Sequence, residues 1–167
     1  MRSETRLWIW VLAYGLSSAF ILSGLGLGLA LELGDSGIHL SGAMNMIIGV
    51  LWNVLWDGAH VAGIACVIAS IALATHQRWG GSLARVGLIV HVFASISAIL
   101  LGLSHLVSLT LLAFPHLGIR GCLLCWFEPR YLFSTFVVIS FFIVTGAIIR
   151  IGWHLFRSIY RLHQGGG

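Results

Sequence analysis

Four long apolar runs dominate this chain, and each is long enough to cross a lipid bilayer. They cover residues 7–31, 44–75, 83–114 and 131–151. A helix needs about twenty apolar residues to traverse the hydrocarbon core. No water reaches the backbone there, so a continuous run of this length has to close its hydrogen bonds internally as a helix. Of the 167 residues, 59% are hydrophobic and 8% charged, which is too little charge to cover a soluble domain. The expected fold class is all-α, a four-transmembrane-helix bundle forming one integral membrane domain over residues 1–167. The first run lacks a small-residue cleavage site and opens a series of similar segments, so it reads as a span and not as a signal peptide.

The charges set an orientation. All nine positive charges are Arg. If the N-terminus is cytoplasmic, Arg2, Arg6, Arg78, Arg85, Arg150, Arg157 and Arg161 lie inside, and only Arg120 and Arg130 lie outside. The positive-inside bias then predicts N-in/C-in, in the plasma membrane of a prokaryote. The net charge of +4 is thereby a topology signal, and no nucleic-acid partner is expected. Arg150, His154, Arg157 and Arg161 recur at helical spacing, which predicts a basic interfacial extension of the last helix to about residue 163. Such a stripe attracts anionic headgroups or pairs with the propionates of a bound porphyrin.

Chemistry enters with the histidines. His91 and His105 are fourteen residues apart in the third run. At about 100° and 1.5 Å per residue, they share a helix face within roughly 40° and are separated by roughly 21 Å. Imidazole is a common axial ligand of haem iron, and ionisable groups inside a span mark candidate sites. In the second run His60 lies three residues after Asp57, close enough for the carboxylate to fix the tautomer of the ring or to carry protons. His60 with His105 is the expected ligand pair of an outer haem. His91 is the expected ligand of an inner haem, with His154 or His76 opposite it or a ligand from another subunit. His76, beside Gln77-Arg78, reads more readily as a solvated loop residue. Helix packing by hydrogen-bonded imidazoles is the plain alternative for His91 and His105, and a polar pair joining helices is that for Asp57 and His60. For Gly24 and Gly28 the plain reading is close helix packing, and the sharper one is space for a porphyrin.

On His91 and His105 the chain resembles the four-helix membrane diheme cytochromes b. In that family histidines about fourteen apart on one helix hold two haems and carry electrons across the membrane. The resemblance implies one or two b-type haems exchanging electrons with a quinone or a redox protein. Asp57 and His60 are also similar in outline to the acidic residue and helix histidine of compact heme A synthases.

A second motif sits between the third and fourth runs, at Gly121-Cys122-Leu123-Leu124-Cys125-Trp126. The expected outer location permits a disulfide, and a Cys-x-x-Cys at a helix start is redox-competent. The run resembles the membrane-edge motif of DsbB-type quinone-linked thiol oxidases, and its late position resembles that of vitamin K epoxide reductases. That resemblance implies Cys122 and Cys125 as a catalytic pair. A disulfide stapling the loop and a thioether to a haem vinyl stay open. Trp126 stands where a c-type attachment motif requires His. The favoured function is b-type haem electron transfer, with thiol–disulfide exchange as the alternative and a homo-oligomer as one possible assembly.

Overall fold

A computed structural model describes residues 4–35, 42–122 and 129–164. Four helices account for nearly all of them: α1 (Glu4–Asp35), α2 (Gly42–Ala74), α3 (Gly80–Cys122) and α4 (Pro129–Gln164). Each contains a stretch long and apolar enough to span a membrane. The chain is therefore an all-α, four-helix integral membrane protein. One boundary differs from expectation. α3 continues through Pro115, which removes one amide donor without ending the helix. The basic segment after residue 151 is one continuous helix with the last span, as the spacing of Arg150, His154, Arg157 and Arg161 implied.

The buried positions repeat in heptads. On α4 they are Val138, Phe141, Thr145, Ile148, Leu155 and Ile159. On α3 Ala84, His91, Ala98 and His105 fall at steps of seven, with Leu88 and Leu101 between them. A seam of this period keeps one helix face on its neighbours along its whole length. His91 and His105 are thus two heptads apart on the packed face of α3.

α2 packs on α1 and α3, α4 packs on α3 and α1, and α1 meets α3. Among the described residues α2 and α4 do not touch, so they occupy opposite corners of a rhombus. Small residues bring α2 close to its neighbours. A side chain at Gly15 would overlap Cys66, and one at Gly63 would overlap Ala19. Without a hydrophobic force between helices in lipid, such close backbone approach is a main source of association. Consecutive helices run antiparallel, so both termini lie at one end of the bundle.

The turn between α2 and α3 closes the α2 C-terminus. Gln77 N–H donates to the Ala72 carbonyl and His76 N–H to the Leu73 carbonyl, the bond pattern of a Schellman cap. His76 occupies the left-handed position at φ 55° and is exposed. This short turn fixes the register of α2 against α3, so Gly58 faces Ala94 and Val90, and Gly87 faces Cys66, Ala62 and Ala65.

Candidate functional site

His91, on the packed face of α3, is fully buried and meets Ser18 and Tyr14 of α1. Its Nε2 lies 2.8 Å from Ser18 Oγ. The Ser18 hydroxyl also donates to the Tyr14 carbonyl at 2.5 Å, so in that geometry Nε2–H donates to the Ser18 oxygen. The Tyr14 ring stands edge-on to the imidazole, with centroids 5.3 Å apart and planes at 71°. The Gly87 carbonyl, one turn earlier, interacts with the ring, but Nδ1 makes no well-formed hydrogen bond. The Tyr14 hydroxyl reaches across to α4 and donates to the Ile148 carbonyl at 3.1 Å. It can do so because Gly152 leaves the space beside that carbonyl open. Three helices are therefore joined through one polar cluster. Sequence reasoning found His91 but missed Ser18 and Tyr14. Their spacing of four, one turn apart in an apolar run, was the available signal.

His105 is buried on the same seam, at 1% exposure. His60 is placed differently. It is exposed on the face of α2 that points away from the bundle. The register sets it level with His91, and His105 lies about fourteen residues, or roughly 21 Å, further along α3. His60 and His105 are therefore not brought together, either in depth or in direction. Counting residues outward from the 75–79 turn yields this register, whereas judging depth from the start of each apolar run does not.

The His60 ring is nevertheless fixed. Its Nδ1–H donates to the Trp56 carbonyl at 2.7 Å, because a carbonyl can only accept. The Trp56 ring lies 5.0 Å away, tilted by 48°, and stacks in turn with Trp52 at 6.2 Å. The sequence signal for this ladder was the spacing Trp52, Trp56, His60. A neutral ring held this way presents Nε2 as a lone pair. Asp57 is exposed on the same outward face, as its spacing implied.

On α4, Arg150, His154 and Arg157 are exposed, and the Arg157 guanidinium sits 5.2 Å over the Trp153 ring. His154 is close in depth to His91, since Val92 and Gly152 line one hollow between α3 and α4. It faces outward, so it does not oppose His91. That hollow, about 190 Å³, is walled by apolar side chains such as Leu88, Phe93, Trp153 and Phe156, and it offers no polar group to orient a ligand. Cys122 ends α3, but its side chain, Cys125 and the rest of the loop lie outside the described residues.

Among the described residues no three His, Cys, Asp or Glu side chains gather as a metal site. A porphyrin ligand needs a ring nitrogen facing open space. His91 does not fit that demand, with Nε2 on Ser18 and no exposed surface. His60 fits it on the donor side, through its fixed tautomer and outward position. No protein family, curated protein or solved structure matches the chain.

Proposed function

We propose that the protein is a membrane-embedded b-type haem protein that transfers electrons, with His60 as an axial ligand. One observation carries this reading. His60 is a mid-span imidazole whose Nδ1 is tied to a backbone carbonyl at 2.7 Å, which leaves Nε2 as the nitrogen free to bind iron, and the residue is exposed on the outer face of α2. Binding iron through the nitrogen opposite such a bond is the usual way a protein sets ligand tautomer and basicity. Trp56 and Trp52 supply an aromatic wall beside it. Bound haem contributes one-electron redox chemistry. The chain's own residues hold the ring in place and exclude water from one side; Arg150 and Arg157, exposed on α4 at the opposite corner from α2, do not lie beside a haem held at His60 of the same chain. The exchange partner in this reading is a quinone or a redox protein.

The test is a pyridine haemochrome spectrum of the detergent-purified protein from haem-replete cells. The expected result is protohaem, with a Soret band that shifts on reduction. His60→Ala loses most of the haem, and His91→Ala retains it. A colourless wild-type preparation overturns the proposal, and full haem retention in His60→Ala overturns the ligand assignment.

A further inference from the structure

Two exposed charges of opposite sign sit at one depth on opposite corners of the bundle. Asp57 lies on the outward face of α2 and Arg150 on the outward face of α4. Both fall inside segments apolar and long enough to span. Neither has a polar partner among the described residues of its own chain. An ionised side chain facing hydrocarbon is costly, and intramembrane charges almost always pair or face a protected cavity.

Their depths follow from α3, which both helices touch. Gly58 faces Ala94 and Val90, so Asp57 is level with about Ala94. Gly152 shares its hollow with Val92. Arg150, two residues earlier on the antiparallel α4, is then also level with about Ala94. The match holds to within about one helical turn, roughly 5 Å, which an arginine side chain can cover. α2 and α4 run in the same direction, so laying the outward face of α2 against the outward face of α4 of another copy keeps the two charges in register.

We propose that the protein assembles head to tail with copies of itself, α2 of one against α4 of the next, with Asp57 paired to Arg150 of the neighbour. α2 and α4 stand at opposite corners, so the contact is heterologous and propagates from copy to copy until it closes into a ring. A two-fold pairing of identical faces would instead set Asp57 against Asp57 and Arg150 against Arg150. The same register sets His154 of the neighbour at the depth of His60. The assembly rests on the charge pair and stands whether or not haem is bound.

The experiment uses two full-length single variants, Asp57→Arg and Arg150→Asp, each with its own affinity tag, in mild detergent. Native mass spectrometry reads the size of the assemblies. Wild type is expected to be oligomeric. Each variant alone is expected to be monomeric, with association weakened about tenfold or more, because every contact then opposes like charges. Co-expressed, the two variants restore opposite charges at every alternating contact, so the tags co-purify as mixed oligomers. Asp57→Asn, which keeps size and removes charge, also weakens assembly. A monomeric wild type overturns the proposal, as does a single variant that assembles alone, or a folded, monodisperse pair that fails to mix. Haem absorbance on the same samples separates the two readings, since an intact oligomer without haem counts against the haem alone.

Discussion

Ser18 and His91 show what one polar contact does in an apolar interior. The bond between Ser18 Oγ and His91 Nε2, 2.8 Å long, joins α1 to α3 where water cannot compete. Interhelical hydrogen bonds in membranes are nonetheless modest, because the separated helices find other partners. Ser18→Ala is therefore expected to destabilise the protein by about 1 kcal/mol, seen as a small fall in the thermal unfolding midpoint in detergent. A large loss of haem from this variant would mean that His91 has a ligand role that its burial does not indicate. His76 makes a different point. It lies near the bundle's polar end and carries a ligand-type side chain, yet its φ of 55° shows it serving as a helix cap.

At the scale of elements, α2 is held by close approach and α4 more loosely. Gly15 and Gly63 let α1 and α2 meet backbone to backbone around Cys66 and Ala19. Overpacking such a contact typically costs about 1–3 kcal/mol. Gly15→Leu is expected to lower the unfolding midpoint by a corresponding amount, and Cys66→Gly in the same chain is expected to recover part of it. If Gly15→Leu leaves the midpoint unchanged, the α1–α2 contact is not the one described. The heptad seam of α3 was legible in the sequence as the fourteen-residue histidine spacing. The outward direction of His60 was not. Asp57 and His60 show only that they share a face, and no local pattern says whether that face meets α1, α3 or the outside.

For the whole molecule, four antiparallel helices set both termini at one end of the bundle. Reporter domains fused separately to each terminus are expected to report the same compartment, and the positive-inside bias makes it the cytoplasm. Reporters on opposite sides would remove one span. The number and type of elements followed from chain chemistry alone, because lipid leaves a long apolar run no option but helix. The shared face of His91 and His105 followed from helical geometry. Which histidines are enclosed, and at what depth each lies relative to the others, depended on how the helices dock. That docking is set by small residues at the α1–α2 and α2–α3 contacts and by the length of the 75–79 turn. These contacts lie far apart in sequence and leave no periodic trace, so the separation of His60 from His105 and the Ser18–His91–Tyr14 cluster emerged only in three dimensions.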